Sequence, residues 1–426
     1  MIRIDEIYNN TFWRWIHKNR PGVRIFYCDP FGRSDPDSIV GHGRENSIET
    51  NYVFFFDQEP LDLTIHKPTF DKILRNNLDI VFSSIYTPGN GLLNDPTIVW
   101  HNKDKDIMLV HKEKTKQAGN VWELGKFFED HNDVLDNFKR LNKEKFLNHG
   151  HIVTSERDSI AVDKLCKEYG WTSHYYFFHG WAALDWYRGY NKSYLITPPN
   201  ERHITKTFIA PNRIIAGHRQ HRLLMLYYIF KNNLMNNWIS CPAVCPAENI
   251  SVLDAVRPMA DRYLDIESVF AAQHLPMNFP GETGHPMHSC WLSLFDESAE
   301  CLLYLVSETV ASGQRLHLTE KTFKPICLRM PFIIVGTQGS LAYLRSYGFR
   351  TFEGIWDESY DDEPNDNLRI QRIASLLSSL DELSVESKQD LFDQCQEVIE
   401  HNYHHFYSGA FEEILWTELQ EMMSEF

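Results

Sequence analysis

The feature that most constrains this chain is a repeated change of period. Short apolar runs rich in Val, Ile, Phe and Tyr alternate with longer stretches whose apolar residues recur at helical spacing. Within residues 1–200 the runs are VRIFYCD, NYVFFFD, DIVFSSIY, HIVTSE and SHYYFF, and they read as strands buried on both faces. HKPTFDKILRNN and DSIAVDKLCKEYG carry the intervening helical pattern. Strand and helix in alternation predict an α/β protein built on an open, largely parallel sheet.

The pattern breaks in NKSYLITPPNERHITK, where Pro198 and Pro199 stand among polar residues, and a domain junction is expected there. It resumes with TKTFIAPNRII as a strand and HRLLMLYYIFKNN as a helix. Residues 240–296 are irregular. Order returns as strand, helix, strand, helix in ECLLYLVSE, EKTFKPICLRM, PFIIVG and GSLAYLRSYG. Pro325 lacks an N–H and costs the helix containing it one hydrogen bond unless it lies in the first turn, which leaves a start after Thr322 as the alternative to one at a Thr319 cap. Residues 353–366 hold seven acids and no base and are expected to form an exposed acidic loop. Amphipathic helices follow over 368–380 and from 385 to the end. The resulting division is an N-terminal domain over 1–195, a second domain over 205–375, and C-terminal helices over 376–426 packing on or bridging the two.

At 426 residues the chain suits two domains of roughly 150–200 residues rather than one core. A composition 43% hydrophobic and 23% charged is that of a globular, soluble protein. No secretory signal opens it and no apolar run reaches the roughly 20 residues of a spanning helix, so a cytoplasmic location with no membrane span is expected. The eight cysteines are scattered and read as structural thiols. A net charge of −16 disfavours a broad grip on nucleic acid, which rests on phosphates neutralised by Lys and Arg.

Two clusters carry the chemistry. In an open parallel sheet, ligands collect beyond the carboxyl ends of strands, so Ser307 and Glu308 at the end of ECLLYLVSE should face a cleft. Thr319 can cap the following helix, whose amino end attracts anions, and Lys321 adds a full positive charge. Glu320 or Glu308 is then an acid free to accept ribose hydroxyls. The second cluster, NRIIAGHRQHR, offers Asn212, Arg213, His218, Arg219, His221 and Arg222 at the end of another strand. Arg is the side chain best shaped for bidentate phosphate recognition. If the two clusters share one cleft, they supply what a nucleotide diphosphate needs; the alternatives are a capped, charged helix start and a basic surface turn paired with the acidic loop near Asp361.

The segment CLLYLVSETVASGQRLHLTEKTFKPICLRMPFIIVG, residues 301–336, resembles the donor-site signature of the alpha-1,3-fucosyltransferase family. That pattern runs apolar strand, Phe-Glu-Asn-Ser, spacer, Tyr-Val-Thr-Glu-Lys, helix, Pro-Val-Val-x-Gly. The resemblance implies two Rossmann-like domains facing across a cleft (the GT-B architecture), with the first binding acceptor and the second the nucleotide-sugar donor. It also implies an inverting reaction with no bound metal and no cofactor beyond the nucleotide-sugar co-substrate. By the same resemblance Glu320 would contact the ribose and Lys321 the pyrophosphate, Glu308 would line the sugar pocket, and Arg219 or Arg222 would bind phosphate. Thr309 stands where the family has Asn, and the helix before Pro331 is slightly shorter, which points to a different donor sugar. The whole chain is similar to fucosyltransferase-like proteins of large tailed phages, which would place it in a host cytoplasm.

An inverting transferase needs a base for the acceptor hydroxyl. Asp57 and Glu59 in FFFDQEPLD are candidates, Glu59 first because the family has a similar Glu near a Pro after an aromatic strand. Glu156 in TSERD is the alternative. Asp185 is a third candidate base, and with Trp181 and Trp186 in HYYFFHGWAALDWYRGY it lies near where an acceptor would sit in that architecture, the rings suited to stacking on sugars or bases, with core packing the alternative role for most of them. The acceptor is a glycan, a small molecule or, following the phage resemblance, hydroxymethylated bases of DNA. Twenty His raise the alternative of a metal-dependent hydrolase, but pairs such as His285 and His288 lack ligand spacing. A non-catalytic nucleotide-sugar or glycan-binding protein on the same fold is the other reading.

Overall fold

The computed structural model describes residues 150–426 except 170–171, 190–192, 247, 281–291 and 426, and before residue 150 the backbone of six short strands. The chain divides into two compact units, Met1–Phe178 with Leu419–Phe426, and His179–Glu418.

The first unit holds a four-stranded parallel sheet of β1 (Arg24–Tyr27), β2 (Val53–Asp57), β3 (Gly150–Thr154) and β4 (Thr172–Tyr175), in that order. The register places Asp57 opposite Thr154, so the carboxyl ends of β2 and β3 are level. Helix α1 (Ile160–Tyr169) joins β3 to β4. The run DIVFSSIY gives no strand of this sheet: Ile80–Val81 and Tyr86–Thr87 instead form separate antiparallel pairs.

The second unit opens with α2 (Phe178–Gly189) and holds a second parallel sheet. Its strands are β5 (Lys206–Ala210), β6 (Trp238–Ile239), β7 (Cys301–Ser307) and β8 (Phe332–Val335), in the order β6-β5-β7-β8. All seven residues of β7 are buried, as a strand covered on both faces must be. From β5 the chain passes through α3 (Gln220–Lys231) to β6 on one side, then crosses to β7 on the other. Strand order therefore reverses between β5 and β7, the kind of point beyond whose carboxyl ends open α/β sheets bind ligands.

Helix α4 (Glu320–Cys327) follows β7 and begins at Glu320, not after Thr322. The Thr319 cap and burial of Phe323 outweigh the hydrogen bond lost at the interior Pro325. Phe323 packs on Phe349, and on Phe406 and Phe411 from helices α8 (Gln396–Tyr407) and α9 (Ala410–Ser424). Between α4 and these lie α5 (Ser340–Ser346), α6 (Asp366–Asp381) and α7 (Val385–Gln394). No described helix is long and apolar enough to cross a membrane.

Two expectations need correction. The Pro198–Pro199 stretch is not where the compact units separate, because Arg202 ties it into the second unit by donating to the carbonyls of Thr197, Leu328 and Arg329. The acidic stretch is not a solvated loop either. Asp361 is 5% exposed and accepts from the Leu341 N–H at the start of α5, and Glu363 pairs with Arg372. Glu358 accepts from the Phe352 N–H. An acid's fate here is set by distant amides that local sequence does not specify.

Burial pushes the Asp361 carboxyl up to about 6, against the bonds from Leu341 and Ala342 that lower it. The native state thus holds this proton more tightly than the unfolded chain, and its contribution to stability falls as pH rises from the ordinary aspartate range to about 6. Urea unfolding across that window should show this slope in the wild type, and Asp361→Asn should remove it. An unchanged slope would contradict the assignment.

Candidate functional site

The two sequence clusters flank the reversal of strand order in the second unit. At the end of β5, Asn212 is buried, its N–H donating to Ser240 Oγ and its side-chain amide to the Ala210 carbonyl. The chain then turns through Gly217, whose φ of +61° lies in the left-handed region, into α3. At the end of β7 stands Glu308, fully buried.

Glu308 joins the two sides. Its Oε1 accepts from Thr319 N at 3.1 Å and Thr322 Oγ1 at 2.6 Å, and its Oε2 from Thr319 Oγ1 at 2.6 Å and Thr309 N at 3.2 Å. Four donors fill a carboxylate's acceptor sites. Its carbonyl receives Arg222 Nη2 and His221 Nε2, each at 2.9 Å, and Arg222 also donates to the carbonyls of Ile214 and Ser307. Burial, then the Arg222 charge, pushes His221 down to about 3, so it is neutral near pH 7 and its Nε2 carries the hydrogen that the carbonyl accepts. Burial, then Arg219, also lowers Arg222 to about 10.

Lys321 Nζ donates to Thr309 Oγ1 at 3.1 Å, Thr319 Oγ1 at 3.2 Å and Glu320 Oε1 at 2.8 Å, while its side chain remains 31% exposed. The other Glu320 oxygen lies 3.9 Å from Nδ1 of the buried His179, which meets His317 edge to face. Burial alone would raise the Glu320 carboxyl, but the charges of Lys321 and His179 prevail and hold it at about 2. The Tyr187 hydroxyl of α2 donates to the Glu320 carbonyl, fixing the first turn of α4.

The structure thus gathers Asn212, Arg219, Arg222, Glu308, Thr319, Glu320 and Lys321 around one end of the sheet, and separates their tasks. Arg222 is committed to three backbone carbonyls and is 6% exposed, so it braces the loop instead of presenting donors to a phosphate. Arg219 is half-exposed and its guanidinium makes no hydrogen bond or ion pair with a described residue. Arg213 is half-exposed at the start of the same loop. Glu308 has no acceptor site left for a ribose hydroxyl, which leaves Glu320 as the candidate acid. Its remaining capacity is what a ligand hydroxyl would use.

On α2, Trp181 is fully buried against Trp416, with ring centroids 6.4 Å apart, and is a core residue, not an acceptor platform. Asp185 and Trp186 are half-buried on the same helix. In the first unit Glu156 is 2% exposed just beyond β3, accepting from Ser159 Oγ at 2.5 Å. Asp57 ends the neighbouring β2, and Glu59 lies outside the described residues. Sequence reasoning missed His179, Thr309 and Thr322 as members of the cluster. Thr322, three residues after the cap, was the one with a local signal, while His179 depends on a contact with Glu320 far along the chain. Among the described residues no three His, Cys, Asp or Glu side chains come together as a metal site.

Comparison with known proteins finds no match, whether to a family model, a curated protein or a solved structure.

Replacing Glu308 by Gln turns one acceptor oxygen into a donor that faces donors. Each group left unsatisfied costs about 1–3 kcal/mol, so Glu308→Gln should lose about 3–5 kcal/mol in urea unfolding. A loss below about 1 kcal/mol would refute the central role given to this carboxylate.

Proposed function

We propose that this chain is a glycosyltransferase that moves a sugar from a nucleoside-diphosphate donor to an acceptor hydroxyl. The observation that supports it most is the placement of Arg219, Lys321, Glu320 and the Thr319-capped start of α4 around the point where strand order reverses. A diphosphate there meets two cations and the positive end of a helix dipole. Glu320 then receives the ribose hydroxyls, and Lys321 exchanges its hydroxyl and carboxylate partners for phosphate oxygens.

In this reading the two parallel-sheet units are the acceptor and donor domains of a GT-B transferase, and the reaction is an inverting displacement that uses no metal. The acceptor oxygen attacks the anomeric carbon as the bond to the diphosphate breaks. Charge that develops on the departing phosphate is met by Lys321 and Arg219, groups already in place. A carboxylate takes the acceptor proton. Glu156, two residues beyond the Thr154 that pairs with Asp57, is the candidate we test first, with Asp57 itself and Glu59, the residue implied by the fucosyltransferase resemblance, as the alternatives. The net charge of −16 favours a neutral glycan over DNA as acceptor.

A thermal-shift series with UDP, GDP, CDP and dTDP tests the donor site. One nucleotide should stabilise the wild type by about 2.7 kcal/mol at a hundred times its Kd. Lys321→Ala and Arg219→Ala, each read against its own unliganded midpoint, should lose most of that shift. Stabilisation by none of the four would count decisively against the proposal.

Sugar transfer tests the base. Glu156→Gln should slow turnover by about 10²–10⁴-fold while leaving the nucleotide shift intact. Undiminished turnover would move the role to Glu59 or Asp57.

A further inference from the structure

A second concave site lies in the same unit, away from the donor cluster. It is an open groove of about 540 Å³ between the last turns of α3, the turn at Arg262–Asp265 and the exposed side of α6. Helix α3 starts beside Arg219 and runs 12 residues, about 18 Å, so the groove sits near the opposite end of the strands. A volume of this size accommodates a small organic ligand.

Its chemistry is specific. Tyr227 donates to Asp265 Oδ1 at 2.6 Å, Lys231 Nζ donates to the Tyr227 hydroxyl at 2.7 Å, and Lys231 pairs with Asp265 at 2.9 Å. This closed triangle holds an ammonium and a carboxylate side by side, each nearly half exposed. A donor and an acceptor so fixed match a pair of neighbouring hydroxyls, which offer the complementary set. Tyr227, Tyr228 and Tyr263 pack on one another at 5.1 to 6.4 Å, and Tyr228 and Tyr263 remain half-exposed. Leu264 beside them is 89% exposed. Ala374 and Ser375 of α6 line the groove with small side chains.

Charge narrows the ligand further. Lys231 is neutralised by Asp265, and Arg262 is the remaining cation of the lining. A polyanion would find one cation without an ion-pair partner among the described residues, on a chain of net charge −16. A ligand that combines apolar C–H faces with dense hydroxyl pairs and no charge fits aromatic rings flanked by an ion pair and amides.

We infer that this groove is a second carbohydrate site, one that binds a neutral oligosaccharide through Tyr228, Tyr263 and the Lys231–Asp265 pair. It works independently of sugar transfer, so its test needs neither donor nor turnover.

Titration calorimetry of the full chain against maltohexaose, cellohexaose, xylohexaose and chitohexaose provides that test, with heparin hexasaccharide as the anionic comparison. At least one neutral oligosaccharide should bind. Tyr263→Ala should weaken it about tenfold or more, as loss of an aromatic anchor does. Ser375→Trp, which fills the groove from an exposed helix position and leaves all three tyrosines in the chain, should abolish binding. Lys321→Ala should leave it unchanged. Binding of none of the four, preference for heparin hexasaccharide, or unimpaired binding by Ser375→Trp would each overturn the inference. So would self-association of the wild type that Ser375→Trp abolishes, with no oligosaccharide bound.

Discussion

A carboxylate taken out of water must be surrounded by donors, and the donors around Glu308 are what the second unit is built to supply. Two threonine hydroxyls and two backbone amides converge on its oxygens, while Arg222 and His221 converge on its carbonyl. The first set comes from the loop and helix that follow β7, the second from the helix that follows β5. A single buried residue at a strand end therefore fixes the relative position of two segments far apart in sequence. The cost of burying its charge is offset only while all these contacts persist, so the cluster forms as a whole or not at all.

That arrangement explains why the cations differ. Arg222 and Lys321 stand in comparable sequence contexts, each in the first turn of a helix after a strand, yet one is inside the protein and the other is at its surface. Arg222 reaches back under the strand ends to three carbonyls and carries structure. Lys321 is held by side-chain oxygens on the open side. Behind α4, the aromatic contacts of Phe323 with α8 and α9 and the Tyr187 bond to the Glu320 carbonyl keep the first turn in register with Glu308. The C-terminal helices thereby support the site without contributing a charge to it.

Much of this was legible in the sequence where the signal is local. CLLYLVS reads as a strand because a strand buried on both faces needs an unbroken apolar run, and Thr319 reads as a cap because its hydroxyl serves its own helix. The positions of β1, β2, β3 and β5 follow from the same kind of run. What stayed hidden depends on where a side chain's far end goes. Arginine in a basic cluster looks the same whether its guanidinium meets solvent or three carbonyls, and Trp181 looks the same on a rim or in a core. Asp361 and Glu363 could not be told from solvated acids, since the α5 amide and Arg372 that receive them become neighbours only in the fold. Arg202 likewise turns a Pro-rich stretch, locally a break, into a segment anchored to the end of α4.

The unequal occupancy of Arg219 and Lys321 has a kinetic meaning. For the diphosphate we propose, the loop after β5 offers a guanidinium that makes no hydrogen bond or ion pair with a described residue, so Arg219 would contribute to the encounter rate and to its dependence on ionic strength. Lys321 would engage the same diphosphate only after leaving the two threonine hydroxyls and Glu320, which would return to it on departure. In that proposal its contribution would fall on residence time, with the two threonines and Glu320 acting as a built-in competitor that holds the lysine in place when no diphosphate is bound.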